Sequence, residues 1–320
     1  MSLNRKRIVT VVALCLVLGS FTAANAQGPA REQARVQSPA VEVGVLLLAH
    51  GGSQKWNDEV LKIAAEVNKE VPVEVAFGMA NKRTIQDGVD KLSVRGAKQI
   101  VAVPLFISSH SSVITSTQYL LGLRKEAPAD LALFAKMDHS HNMSGASMTH
   151  TAAAGPIKPV TSTAPIRMTG ALDRHPVVAE ILIERAKAIS QEPSREVVIV
   201  VAHGPVPEDD NAKWLADMKT LSDLMKAKSS YQRIEYQTVR DDAPEALRAK
   251  ATSELRARVE TAIKEGNKVL IVPLLLSYGG IEQGIRKRLD GLDYTISKHG
   301  LLPDERLARW VLGSVDQTAK

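Results

Sequence analysis

The chain carries eight histidines and a single cysteine, and its chemistry starts with the histidines. His50 ends an aliphatic run, Val45-Leu46-Leu47-Leu48-Ala49, and is followed by Gly51 and Gly52. His203 ends a second such run, Val197-Val198-Ile199-Val200-Val201-Ala202, and is followed by Gly204. His110 comes just after a third apolar stretch, Val101 to Ile107. Neutral imidazole binds Co²⁺, Ni²⁺, Fe²⁺ or Zn²⁺, and with an ordinary pKa of about 6.5 it accepts a proton near neutral pH. The structural alternative for His50 is a histidine that caps a strand and bonds a neighbouring carbonyl, and for the pair His50 and His203 a duplicated core histidine.

A second set of ligand types is local. Met137, His139, His141, Met143, Met148 and His150 fall within residues 137–150. Imidazole suits Cu²⁺, Ni²⁺, Co²⁺ and Zn²⁺, and thioether selects Cu⁺, so the tract reads as a metal collector. Its alternative is a low-complexity linker.

The elements that must position His50, His110 and His203 follow from the pattern around them. The run before His50 reads as a strand buried on both faces, and the segment opening at Asn57 or Asp58 reads as a helix. The histidine then stands at the carboxyl end of a strand, the rim where open parallel sheets bind ligands. The pattern occurs twice. Residues 98–109 match 267–278, aligning Pro104 with Pro273, and 173–186 match 297–310, aligning His175 with His299. Each copy reads strand, helix, strand, helix, strand, helix and closes on a histidine-led helix. Such alternation predicts α/β lobes in three layers, each with a parallel sheet, and a cleft between the two lobes. The spacing from Pro104 to His175 exceeds that from Pro273 to His299 by about 45 residues. The excess falls on 137–168, which is rich in Gly, Ser, Thr, Ala and Pro and reads as a flexible loop.

Residues 1–26 are set apart. A basic start (Arg5, Lys6, Arg7), an apolar stretch and Ala24-Asn25-Ala26 read as a cleaved export signal, which places the mature protein in the periplasm or outside the cell. Residues 27–40 read as a disordered leader. The domains expected are 41–190 and 195–320. Cys15 leaves with the signal, so any metal is held by histidine, methionine or carboxylate. The formal charge of +6 falls to +3 when the three basic residues leave. No basic cluster with interleaved aromatics appears, which excludes nucleic acid as a partner. No membrane partner is expected after cleavage.

The stretches at 46–64, 101–114 and 172–186 resemble the sirohydrochlorin cobaltochelatases of the CbiX type, class II chelatases related to the ferrochelatases. The resemblance spans nearly all of the mature chain as two tandem copies. It implies paired α/β lobes, a divalent metal (Co²⁺, Ni²⁺ or Fe²⁺) as substrate, a sirohydrochlorin-type tetrapyrrole as partner, and no organic cofactor. It carries the family's metal-binding histidine to His50 and, by duplication, to His203. Departures are plain. Where the family pattern runs glycine then histidine after the third strand, this chain has His110 and Ser112, and the second copy has Gly279 and Ile281. Met79 stands where the family has a glutamate.

On this reading His50 and His110 form the principal catalytic and metal site, and His203 is a weaker ligand. Ser108, Ser109, Ser111 and Ser112, at a helix start, would meet the carboxylates of the pyrrole, as would Lys55, Lys82 and Arg83 nearby. Helix capping and solvated charge are the alternatives for these residues. Glu59 or Glu282 would complete the metal set, with a solvated helix charge as the favoured alternative for each. A two-lobed solute-binding protein is disfavoured, because the copies read as complete in turn, with no chain crossing between lobes. A non-catalytic metal-delivery protein on the same scaffold remains the second reading.

Overall fold

In the computed structural model the described residues are 42–140 and 156–319. The signal segment 1–26, the leader 27–40, and His141, Met143, Met148 and His150 lie outside them.

Eight strands form two four-stranded sheets, parallel throughout. The first has the order β2 (Val73–Phe77), β1 (Val43–Ala49), β3 (Gln99–Pro104), β4 (Ile166–Met168). The second repeats it as β6 (Arg233–Thr238), β5 (Glu196–Ala202), β7 (Lys268–Leu274), β8 (Thr295–Ile296). In each sheet the chain leaves the first strand to one side and returns on the other, so the switch point lies between β1 and β3, or β5 and β7.

Side chains alternate across each strand, and both faces are apolar. From β1, Val45, Leu47 and Ala49 face one core with Trp56, Val60 and Ile63 of α1 (Gln54–Val67). Leu46 and Leu48 face another with Ile85, Val89 and Leu92 of α2 (Lys82–Val94). Helices α3 (Ser112–Leu120) and α4 (Leu131–Ser140) lie on that second side, contributing Leu120 and Leu131. The second sheet has α6 (Glu208–Ala227) on one face, and α7 (Glu245–Lys264) with α8 (Ile281–Arg288) on the other. The three-layer α/β lobes expected from the sequence are there. Among the described residues no helix is long and apolar enough to cross a membrane.

The copies are not self-contained, however. The helix that closes the first copy, α5 (Pro176–Lys187), packs on α6 and β7 of the second. The helix that closes the second, α9 (Arg306–Ala319), packs on α1, β3 and β4 of the first. The chain therefore crosses between lobes twice, and the lack of a crossing cannot be used against a solute-binding architecture. The exchange has a physical cause in the core. Val178, Ile181 and Leu182 of α5 and Leu307, Trp310 and Val311 of α9 all enter one apolar cluster continuous between the two sheets.

Three local expectations also change. Ser53, not Asn57 or Asp58, caps α1, its hydroxyl accepting from the Trp56 N–H at 3.3 Å. Asn57 instead accepts from the Gly52 N–H at 2.9 Å and closes the preceding turn. The stretch 137–168 is not one loop. Its start is the last turn of α4, which includes His139, and its end is β4, paired to β3 through Ile100–Ile166 and Ala102–Met168. The limb before β4 is docked as well: the Val160 N–H donates to the Leu120 carbonyl at 2.8 Å, and Tyr119 donates its hydroxyl to the Ile157 carbonyl at 2.8 Å. Finally, His299 does not head α9. His175 Nδ1 accepts from the Val177 N–H at 3.2 Å, and the same bond in the second copy is made by Asp304 Oδ1 to the Arg306 N–H at 3.0 Å. His299 is exposed in the loop five residues earlier.

Because α9 covers the first sheet, removing it injures the copy to which it does not belong in sequence. A chain ending at Leu302 is expected to lose cooperative unfolding in urea, and Trp310→Ala to cost about 3–5 kcal/mol. Excising 156–168 strips β4 and its docked limb, and should lower the melting temperature.

Candidate functional site

The turn after β1 explains why a histidine is followed by glycine. Gly51 adopts φ +81° and Gly204 φ +75°, a left-handed backbone that favours glycine. A Cβ on Gly204 would also lie 2.5 Å from Cβ of Thr238. Each turn thus lifts its histidine clear of the strand end and starts a helix immediately behind it.

The two histidines are then held differently. His50 is exposed, with Nδ1 2.6 Å from the Gly51 carbonyl oxygen. A carbonyl only accepts, so Nδ1 carries the proton and the Nε2 lone pair is left for a metal or a proton. Its ring stands 6.4 Å from that of Trp56, tilted by 59°. His203 is partly buried, and its Nε2 lies 3.3 Å from Asp242 Oδ2. The Nε2 position that His50 leaves open faces a carboxylate in the second copy, and a carboxylate only accepts, so there Nε2 presents its N–H to Asp242. Asp242 was not singled out from the sequence. A signal existed: Arg240-Asp241-Asp242 puts three charges beyond β6, where the first copy has Met79-Ala80-Asn81 beyond β2. Strand-end bonds equate those segments, Gly78 N–H to the Ala49 carbonyl and Val239 N–H to the Ala202 carbonyl, both at 2.9 Å.

His110 belongs to a tightly bonded loop beyond β3. Its N–H donates to Ser108 Oγ at 3.1 Å. Ser109 donates its N–H and hydroxyl to the two carboxylate oxygens of Asp173, at 2.6 and 2.7 Å. Ser111 caps α3 by accepting from the Ile114 N–H. Capping and loop bonds therefore occupy Ser108, Ser109 and Ser111, while the Ser112 hydroxyl has no such partner among the described residues. Ser109, His110, Ser111 and Ser112 line a cavity of 350 Å³ with Asp210 and Lys213 of α6. On its other side His110 lines a cavity of 590 Å³ with Asp173, Arg174, His175 and Asp217. Both cavities join the first lobe to α6 of the second. Lys55, Lys82 and Arg83 are exposed near the first rim and line neither.

A reciprocal contact organises this rim. Trp214 and Asp217, one helical turn apart on α6, approach the loop that carries Ser108 and His110: the Trp214 Nε1–H donates to the His110 carbonyl at 2.8 Å. Trp56 and Glu59, with the same spacing on α1, approach the matching loop of the second copy. Ser277 donates its hydroxyl to Glu59, and a Cβ on Gly279 would lie 3.7 Å from Trp56. Glu59 is therefore an interlobe acceptor. Glu282 accepts from the N–H groups of Gly279 and Gly280, at 3.2 and 2.9 Å, and holds the loop before α8. Neither is the solvated charge expected of it.

Among the described residues, no three His, Asp or Glu side chains converge as ligands on one point. His50 and His110 stand at neighbouring strand ends, on either side of the switch point, without a ready third partner. His139 is placed only by its helix, and His141, Met143 and His150 lie outside the described residues.

Asp217 is the electrostatic anomaly. Only 7% exposed, it leaves Oδ2 without a partner, and Oδ1 has a long 3.4 Å bond from Arg174. Burial first, and then the nearby Asp173 carboxylate, push its pKa above the ordinary 3.8, against the pull of Arg174 and His110. Burial likewise lowers the pKa of His175, against Glu180, so its imidazole is held neutral.

Set against known proteins, this geometry has clear relatives. Residues 44–189 match the CbiX family. Over part of its length the chain is also similar to sirohydrochlorin cobaltochelatases. That of Sulfolobus acidocaldarius is 38% identical over 69 residues, 21% of this chain and 56% of the relative. That of Saccharolobus solfataricus is 34% identical over 83 residues, 25% of this chain and 65% of the relative. That of Methanothermobacter thermautotrophicus is 26% identical over 85 residues, 26% and 59%. The chain thus spans 56% to 65% of the length of these curated relatives. Among solved structures, SirB from Bacillus subtilis with Fe³⁺ superposes with a TM-score of 0.57 at 17% identity, over 87% of this chain and 96% of SirB. DR2241 from Deinococcus radiodurans, a multi-domain protein with structural similarity to chelatases, gives 0.51 at 15% identity, over 88% and 56%. The SirB likeness covers both lobes and shows that the fold is the two-lobed chelatase-like one.

The Asp217 environment makes a pH-dependent prediction. The folded state binds more protons at this carboxyl than the unfolded chain does, so stability falls as pH rises from about 4 through the raised pKa. Asp217→Asn should therefore raise the melting temperature at pH 7, with the gain shrinking as pH approaches 4. Thermal unfolding of both proteins across pH 4–8 checks it; a lower melting temperature for the variant at pH 7 refutes it.

Proposed function

We propose that this protein is an exported CbiX-like chelatase that takes a divalent transition metal, Co²⁺ or a similar ion, at the interlobe rim and inserts it into a sirohydrochlorin-type tetrapyrrole. The observation that carries the reading is His50: an exposed imidazole at a parallel-sheet switch point, with Nδ1 tied to a carbonyl and Nε2 left open. The CbiX match over 44–189 and the likeness to cobaltochelatases supply the reaction class.

Insertion requires two pyrrole N–H protons to leave and the metal to shed water. His50 Nε2 serves as a ligand or as the acceptor of one proton, and at neutral pH an imidazole does either without a cofactor. His110 is the second candidate, at the junction of both interlobe cavities. His203 ranks below them because Asp242 already occupies its Nε2. Ser112, Lys55 and the α3 amino terminus are the donors suited to a polycarboxylate substrate. The export signal, and metal collection by the His/Met tract His139, His141, Met143 and His150, complete the reading as properties of an extracytoplasmic protein.

A non-catalytic metal-delivery protein is the second reading, favoured by two particulars. No third ligand converges with His50 and His110 among the described residues, and Met79 and Ser112 stand where the CbiX pattern has glutamate and histidine. Mature protein mixed with sirohydrochlorin and Co²⁺, Ni²⁺ or Fe²⁺, followed by absorbance, separates the two. Insertion well above the uncatalysed rate is expected, while metal binding without insertion selects delivery. His50→Ala should reduce metal affinity at least tenfold, and His203→Ala by less. The reverse order would move the site to the second lobe.

A further inference from the structure

The loop of His110 is bonded on every side except at the ring. Its N–H is taken by Ser108, and the preceding Ser109 is locked to Asp173. Its carbonyl is taken by the indole of Trp214, 104 positions further along the chain. The imidazole itself bonds to no protein group among the described residues, so its position follows from where its backbone is pinned. Two of the three pins lie within the first lobe. The third belongs to the second.

We propose that Trp214 is a positioning residue for His110: one indole N–H of the second lobe sets where the first lobe's imidazole stands in the cleft. This rests on the reading that His110 takes part in metal binding. Tryptophan suits the task because its N–H only donates and its ring is rigid and broad, so the bond fixes both distance and direction. The mirrored contact supports the assignment by its difference. Trp56, on α1, faces Gly279 and makes no hydrogen bond with its indole among the described residues. Glycine there presents no side chain to place. The mirrored loop is tied instead through Ser277 to Glu59, so of the two facing tryptophans only Trp214, which faces the imidazole-bearing loop, makes an indole hydrogen bond among the described residues.

The consequence is that the first lobe's site is incomplete without the second, although its two principal ligands, His50 and His110, both come from the first copy. Groups that orient a ligand from behind alter metal affinity by about 10–100-fold when removed. Trp214→Phe keeps an aromatic ring against the loop and deletes only the donor.

The test is Co²⁺ titration of the full mature chain by calorimetry, with the visible absorption of bound Co²⁺ as a report of coordination. The proteins compared are wild type, Trp214→Phe, His110→Ala and the double variant, each checked for unchanged melting behaviour. Trp214→Phe is expected to weaken Co²⁺ binding about tenfold and to alter the Co²⁺ spectrum. The double variant should bind no worse than His110→Ala alone, because alanine keeps the carbonyl but has no imidazole to position. If Trp214→Phe still weakens binding in the His110→Ala background, its role is structural and the proposal fails. If His110→Ala weakens binding and Trp214→Phe does not, the proposal fails and the metal reading stands. If His110→Ala is silent, both fall together. Should Trp214→Phe not fold, Trp214→Leu, which also lacks the donor, takes its place in the same cycle.

Discussion

The apolar core shared by the two sheets is the constraint on which the rest of this molecule depends. Helices α5 and α9 are exchanged between copies, and their buried faces meet α1 and α6 in one cluster. Each large aliphatic or aromatic side chain buried there contributes on the order of 1.5–3 kcal/mol. Separating the lobes would expose many of them at once. The cleft is therefore a fixed relation between two rims, and any chemistry in it works on a frame that does not open by parting the lobes. The described residues, 42–140 and 156–319, fall in one compact unit for this reason.

On that frame, the candidate histidines of the cleft lie at the carboxyl ends of the strands. Parallel strands point all their carboxyl ends one way, so β1, β3, β5 and β7 deliver His50, His110, His203 and Gly279 to neighbouring rims. The frame is duplicated but the chemistry is unequal. His50 keeps Nε2 open, while His203 spends it on Asp242. His110 brings an imidazole to the interface, while its counterpart Gly279 brings none. Asp217 shows the cost of building a polar site between apolar lobes: a carboxylate is kept where burial and Asp173 both oppose its charge. Natural structures break local rules most readily at functional sites, and this one breaks the rule beside His110.

The strand-end placement of the candidate histidines was legible from the chain alone, for a definite reason. A buried parallel strand needs a continuous apolar run, and a tight strand-to-helix turn needs a left-handed residue, so Ala-His-Gly after such a run places the histidine at a rim. Other residues were not legible. Asp242, Glu59 and Trp214 matter because of partners 39, 218 and 104 positions away; the charges at Arg240-Asp241-Asp242 mark an unusual strand end, but nothing local says which acid or indole will meet a remote group. Ser108, Ser109 and Ser111 read equally as anion donors or loop bonds until their acceptors were known. Strands of three and two residues, as in β4 and β8, carry too little alternation to be seen by period.

What the sequence determined by itself was the α/β class, the duplication, and the histidines at the strand ends, because these follow from local periodicity and turn chemistry. What only the tertiary structure decided was which lobe each closing helix joins. An apolar stripe on α5 or α9 requires burial but does not name the sheet that supplies it. The same holds for His110, whose surroundings are set by a helix of the other copy. Partner choice between equivalent apolar faces is a property of the whole packed core, and no stretch of the chain carries it alone.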